Sequence, residues 1–477
     1  MSLTVGVIKA SLPSYFPDRH GVFDVCLDAV RELVAAVGGR AVVAPNVPMD
    51  GADARGALEY CRARGAGFLL LIHGGFTMGD VAREIAMGGM PMGVWATPEP
   101  THENDIQLNN FVSLNMSLSI ARGVRDISMN PVQWYFGAAE DPRLRDRLSR
   151  SLRALSARER LKGARIAVIG GLAPTFYNMD VSGDVLAHRL GVETVHVDIH
   201  RMVDVMEAAN GSQVDAEVAA MTARGTIRNV SEGQMALTAR AAIALRKVFE
   251  RDGYDGLAVS DWPALQERPG MHPGAAFSWL EEKDNMAIAS EGDVLGTVTQ
   301  MVVRTITGRV GSLLDMTSPQ FRDDRILMWH GGGGPLYMAG NGPVAWINHP
   351  MIGRGTREGP KFGAIADFEF ADGPHSVLRV ARSGTVAFAV EGQVRAMGES
   401  GFAGCRGWVT GFSDRGHARS AEDVVTSVME HGLEHHFVLV PGLWANDFLE
   451  FAAWTGMELL PVVSSSDGLS PLSARVR

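Results

Sequence analysis

Short apolar runs alternate with longer amphipathic stretches through roughly the first 140 residues. Leu3–Ile8, Ala41–Ala44, Gly67–Ile72 and Pro91–Ala96 have the length and content of buried strands. Between the first two, Cys26, Ala29, Val30, Leu33, Val34 and Val37 recur on one helical face, and Gly38-Gly39 ends the pattern. Such alternation predicts a parallel sheet with helices on both faces. From Arg143 to Arg165, arginines alternate with Leu and Ser at helical spacing. This reads as a solvated connecting helix, with a polyanion site as the other reading. A second alternating set follows at Arg165–Gly171, Glu193–Ile199, Gly256–Ser260, Met286–Ser290 and Val310–Leu314. After His330 the pattern changes to short alternating segments, Phe362–Phe370, Ser376–Ala381, Thr385–Val390 and Gly407–Phe412, punctuated by Gly and Asp. These predict an antiparallel sheet or small barrel. A helix over Ala421–His431, a strand over Phe437–Val440 and a helix over Trp444–Trp454 close the chain. The expected fold is α/β, with two Rossmann-like parallel-sheet domains (residues 1–160 and 161–325) and then an antiparallel β-barrel-like C-terminal domain with closing helices (326–477).

Composition narrows the function. The chain has 477 residues, 46% hydrophobic and 21% charged, as an ordinary globular enzyme does. A net charge of −10 argues against a nucleic-acid partner, which asks for a basic face. Three cysteines, Cys26, Cys61 and Cys405, are too few and odd for a disulfide framework and suit a reducing compartment. No apolar run approaches the ~18 residues of a membrane span, and Leu3–Ile8 does not have a signal-peptide pattern. A cytoplasmic protein without a membrane partner is expected.

The chemistry concentrates between Gly256 and Pro335. Met286–Ser290 is a short apolar strand ending at Glu291; Asp293 is placed to cap the helix that follows; Val310–Leu314 is a second strand ending at Asp315. As one βαβ unit, this sets a carboxylate at the carboxyl edge of each strand, where open α/β sheets bind ligands. Neighbouring strands lie ~4.8 Å apart, and two carboxylates that close repel unless a cation separates them. A divalent metal is one reading; an ordinary strand-end charge and a turn aspartate is the other.

The runs Asp261-Trp-Pro-Ala-Leu-Gln266, Ser290-Glu-Gly-Asp293, Leu314-Asp315 and Trp329-His-Gly-Gly-Gly-Gly-Pro335 resemble the L-fucose isomerase and L-arabinose isomerase superfamily. So does His435-His436 before Phe-Val-Leu-Val-Pro-Gly442. The resemblance covers about Gly256–Pro335 and Gly432–Gly456; over the first ~140 residues it rests mainly on topology. It implies Glu291, Asp315 and His436 as ligands of a Mn²⁺ ion, with Mg²⁺, Co²⁺ or Zn²⁺ also compatible with that donor set, and no organic cofactor. Of the histidine pair, His436 matches the ligand position, leaving His435 to substrate or to a carboxylate behind the metal. His330 faces the sugar in the fucose branch and is a further ligand in the arabinose branch. Trp262 and Gln266 lie in the matching runs as substrate candidates; Trp262 fits a sugar face or a core equally. Trp95 and Asn109-Asn110 resemble sugar-contact regions, with core and loop roles as the alternative. The chain departs from the family at Ser290 and Gly331, where Cys is common, and neither change removes a ligand.

The implied activity is aldose–ketose isomerisation of a monosaccharide through a cis-enediol, with Glu291 and Asp315 moving protons as well as holding metal. The family also implies a homo-oligomer, a trimer or hexamer. Rival readings are an isomerase of a charged sugar such as a sulfonated hexose, a metal-dependent epimerase or aldolase, and a sugar-binding protein without activity. Lys9, Arg19 and His20 would suit an anionic tail, or are surface charges. Two motifs are set aside. His431-Gly-Leu-Glu-His435 mimics a zinc-peptidase helix but contains Gly432, and the His330 glycine loop mimics an esterase oxyanion loop but has no G-x-S-x-G partner.

Overall fold

A computed structural model of the chain describes residues 2–16, 18–124, 131–353, 361–396 and 398–467. The chain forms two compact units, the first running to Lys162 and including Glu450–Met457, the second holding Gly163–Leu449 and the residues from Glu458 on. Among the described residues no helix is long and apolar enough to cross a membrane.

The first unit is built on β1 (Thr4–Ala10), β2 (Arg40–Val43), β3 (Phe68–His73), β4 (Met92–Ala96) and β5 (Val132–Phe136). They form a parallel sheet in the order β2-β1-β3-β4-β5. Four of these strands coincide with the apolar runs; β5, with polar Gln133 among aromatics, does not announce itself. Cys26 and Cys61 are buried, as their helix faces suggest. The Arg-rich segment is the helix Pro142–Leu161, but it is not solvated all round. Leu144, Leu148, Leu152 and Leu155 are buried, Arg145 pairs with Glu32 at 2.5 Å, and Arg147 stacks 4.0 Å from the Trp134 ring centroid. Trp95 requires a correction. It is 0% exposed and its indole donates to the Gly137 carbonyl at 3.0 Å, so it belongs to the core and offers nothing to a sugar. Asn110 is also buried, donating to Thr97 Oγ1 at 2.9 Å. Arg19 is exposed, with its guanidinium 4.4 Å from the Phe16 ring centroid.

The second unit opens with β6 (Arg165–Ile169), β7 (Glu193–Val197), β8 (Thr226–Ile227), β9 (Gly256–Val259) and β10 (Ile288–Ala289). Of these, β10-β9-β6-β7 make a second parallel sheet. The remaining strands are β11 (Ser312–Gln320), β12 (Arg325–His330), β13 (Ala345–Gly353), β14 (Lys361–Glu369), β15 (Gly373–Ala381), β16 (Val386–Val394), β17 (Cys405–Asp414), β18 (His417–Arg419), β19 (His436–Pro441) and β20 (Glu458–Leu459). Among them β16, β15, β19, β11, β12 and β17 pair in turn, all antiparallel, and β17 pairs back to β16. The ring closes into the barrel that the alternating segments predict.

This topology corrects one expectation. The segment after Gly308 is not a parallel neighbour of β10. It enters the barrel as β11, and Asp315 lies within that strand, not at its end. Val310–Leu314 is apolar enough for either kind of buried strand, and periodicity alone does not separate them. Parallel sheet and barrel share one core, in which Ile169, Leu257 and Ile288 join Leu314, Met328, Phe388 and Leu439.

Candidate metal centre

Two ligand candidates are fixed by the barrel ladder. Asp315 on β11 stands directly opposite His436 on β19, a cross-strand pair whose side chains share one face. On the other side of β11, β12 carries His330 as its last residue. Glu291 comes from the parallel sheet instead, in the turn Ser290–Asp293 between β10 and the helix Val294–Thr307. Its backbone is left-handed, φ 60°, a conformation costing a non-glycine residue roughly 1–2 kcal/mol. The turn is held on both sides. Glu291 N–H donates to Asp261 Oδ1 at 2.7 Å and Glu291 C=O accepts from Ala173 N–H at 2.9 Å. Gly292 has φ 75°, and a Cβ there would overlap the Gly171 carbonyl oxygen, so only glycine lets the two turns meet.

These elements bring Glu291 Oε2 to 3.5 Å and Asp315 Oδ1 to 3.8 Å from His436 Nε2. His436 is fully buried, while Glu291 and Asp315 are partly open, at 15% and 31%. Asp315 Oδ1 and His436 Nε2 are buried without hydrogen-bond partners among the described residues. Buried polar atoms without partners are uncommon, and lone-pair atoms converging at this spacing are what a cation satisfies. The donor set therefore fits a divalent metal.

Hydrogen bonds assign the histidines. His436 Nδ1 lies 3.0 Å from Asp293 Oδ2; a carboxylate only accepts, so Nδ1 carries a proton, and in the neutral ring Nε2 presents its lone pair. A metal-binding histidine commonly has this arrangement. His330 is the reverse: its Nδ1 accepts from Gly332 N–H at 2.6 Å, so the neutral ring holds its proton on Nε2 and acts as a donor. His435 Nε2 is 3.3 Å from Glu291 Oε2 and its Nδ1 is 3.1 Å from Asn178 Nδ2, placing it behind Glu291. Burial pushes the His436 ring down, but the Asp293 hydrogen bond and the charges of Asp315, Asp293 and Glu291 outweigh it and raise it. For His330 burial wins, and the ring is lowered despite Asp315. Burial pushes Asp261 up, yet the hydrogen bond and charge of His272 and the Glu291 N–H hold it below the usual carboxylate range.

The other expected residues divide. Trp262 is half-buried and meets Phe176 edge-on at 5.7 Å; Phe176 lies 5.3 Å from His435, so an aromatic flank reaches the cluster. Gln266 donates its amide to Asp261 C=O at 2.9 Å and Met271 C=O at 3.1 Å, bracing the loop that carries Asp261. Trp95 and Arg19 belong to the first unit and are no part of this cluster. At Gly331 a Cβ would overlap Nε2 of His349, which is 3% exposed, so an imidazole occupies the space a larger residue would need. Sequence reasoning missed Asp261, Arg379 and the second role of Asp293. Asp293 caps its helix through Gly296 N–H at 2.8 Å as expected, but also receives His436 and Arg379. The available signal was Arg379 itself, a lone charge in the apolar strand segment Ser376–Ala381.

No protein-family profile matches the chain. Sulfoquinovose isomerases from Priestia aryabhattai and Priestia megaterium are each 22% identical to it over 373 residues, 77% of this chain and 79% of theirs. A sulfoquinovose isomerase from a Clostridium species is 22% identical over 245 residues, 51% of this chain and 54% of its own. Over most of its length, then, the chain is similar to isomerases of a sulfonated sugar.

Proposed function

We propose that the chain is a divalent-metal-dependent aldose–ketose isomerase acting on a sulfonated hexose of the sulfoquinovose type. The relatives' shared name supports an isomerase acting on a sugar. The single observation that carries the metal is the pair of buried, partnerless atoms, Asp315 Oδ1 and His436 Nε2, facing each other beside Glu291. Glu291, Asp315 and His436 would hold the ion, Mn²⁺ suiting two carboxylates and an imidazole. When bound, the ion supplies Lewis-acid stabilisation of the negative charge that develops as the carbonyl moves between C1 and C2.

The remaining work falls to side chains. Glu291, aimed by its pinned backbone and open at 15%, takes the C2 proton of the aldose and returns one to C1. Asp315, open at 31%, moves protons between the sugar hydroxyls. His330 Nε2–H donates to a sugar oxygen. Trp262 and Phe176 offer an apolar face to sugar C–H groups. The reading carries with it a homo-oligomer, checked by sedimentation.

The test is turnover of sulfoquinovose and of uncharged aldoses after dialysis against a chelator, then after adding Mn²⁺. Activity lost to the chelator, regained with Mn²⁺ and highest on the sulfonated sugar is expected. Full turnover by metal-free protein refutes the metal; equal rates on uncharged aldoses refute the substrate.

A further inference from the structure

Behind His436 lies a group of charges that the reaction does not touch. Arg379 on β15 is 0% exposed, between the apolar residues Val377, Leu378 and Val380, Ala381 of that strand. It donates to both oxygens of Asp293, Nη1 to Oδ2 at 2.6 Å and Nη2 to Oδ1 at 3.1 Å, and Asp293 is also 0% exposed. Its Nε faces Glu434 Oε2 at 3.9 Å, and Glu434 Oε1 accepts from Arg382 N–H at 2.9 Å. Burying three charges is costly, and an apolar replacement of similar volume often serves stability as well or better. Their presence here points to a role other than stability.

We infer that Asp293, held by Arg379, which has Glu434 on its far side, is a positioning residue that fixes the neutral His436 ring in its Nδ1–H tautomer and so aims the Nε2 lone pair at Glu291 and Asp315. The inference rests on the proposed metal-dependent function. Asp293 Oδ2 receives Arg379 and His436, and Oδ1 receives Arg379 and Gly296 N–H, so every neighbour is a donor. The opposite tautomer would set an imidazole lone pair against a carboxylate at 3.0 Å. Arg379 fixes that carboxylate in rotation, because a bidentate guanidinium admits one orientation. Glu434 supports Arg379 from its far side. Asp293→Asn breaks the pattern wherever its amide NH₂ points, since that group then faces a donor, either Gly296 and Arg379 or His436 and Arg379.

The test has two readings. Long-range ¹H–¹⁵N spectra of histidine-labelled, metal-free wild type at alkaline pH should show His436 protonated at Nδ1. Mn²⁺ titration should then find Asp293→Asn weaker than wild type by ~10–100-fold, the usual loss for a group behind a metal ligand. Arg379→Lys, which keeps the charge but not the fork, should be weakened in the same direction. His436 protonated at Nε2 in the wild type overturns the inference, and that reading stands even where a variant does not fold. Wild-type Mn²⁺ affinity in folded Asp293→Asn overturns it too, leaving the function intact. Wild type that takes up no Mn²⁺ overturns the function, and with it the purpose given to these charges.

Discussion

Glu281 gives the interior of the second unit a test that needs no metal. It sits on the helix Gly274–Asp284 and is 1% exposed. Oε1 receives only a long hydrogen bond from Gln300 Nε2, 3.4 Å, and Oε2 has no partner among the described residues. Burial pushes its carboxyl well above the usual range, and the neighbouring Cys405 and Tyr337 are themselves held protonated by burial. A group whose folded pKa is raised is fully compatible with folding below its unfolded value, about 4.3 for glutamate. Above that pH, stability falls by about 1.4 kcal/mol per unit until the folded group ionises. Glu281→Gln keeps the shape and removes the titration. Its new NH₂ adds a fixed cost of roughly 1–3 kcal/mol if unpaired, so the slope and not the offset decides. Urea unfolding can be followed by the fluorescence of the nine tryptophans, of which Trp279 is on the same helix and 5% exposed. Between about pH 5 and pH 6 the variant should gain about 1.4 kcal/mol on the wild type. A gap that does not change with pH, of either sign, refutes the assignment of a neutral buried acid.

Glu291→Gln should lower turnover more than ~10²-fold with the fold intact, losing a ligand and a proton carrier together; wild-type product formed in D₂O should carry deuterium at the exchanged carbon, and its absence after many turnovers would withdraw the proton-transfer role. His436→Ala should weaken Mn²⁺ binding more than His435→Ala in a direct titration, since only the first removes a lone pair aimed at the centre; the reverse order exchanges their roles. Gly331→Cys should cost roughly 1–3 kcal/mol in chemical unfolding by overlapping His349. Adding His349→Ala should recover part of that loss, and no recovery would mean the strain lies elsewhere.

Much of this was legible in the chain. The helix Ala421–His431 and the strand at Phe437–Val440 stand where apolar spacing put them, because local period and burial agree there. Gly432 ends that helix at φ 58°, as needed to dismiss the zinc-peptidase motif. The sequence points to Glu291, Asp315 and His436, and the two carboxylates come to 3.5 and 3.8 Å from His436, but not through the parallel strand pairing that the spacing predicts. Asp315 meets His436 through an antiparallel ladder between residues over a hundred apart in sequence. Strand-to-strand pairing of that range leaves no local trace. Trp95 failed for a related reason: an aromatic residue in a strand looks alike whether its face turns to core or to ligand. Arg379 was visible as a charge in an apolar strand, but its partners lie on a helix cap and a loop remote in sequence.

The closed barrel has a consequence for how such a protein can change. Because β16 pairs with both β15 and β17, the ring has no edge strand to fray or slip. The distance between Asp315 and His436 is therefore set by ladder spacing and register, not by any connecting segment. On the proposed function, the segments that would meet a sugar, namely the turn after β10, the glycine loop after β12 and the stretch around Phe176, lie outside that ring. Insertions and substitutions there would then alter which sugar fits without moving Asp315 or His436. The connections can in this way vary independently of the closed circle of strands that sets the Asp315–His436 pair.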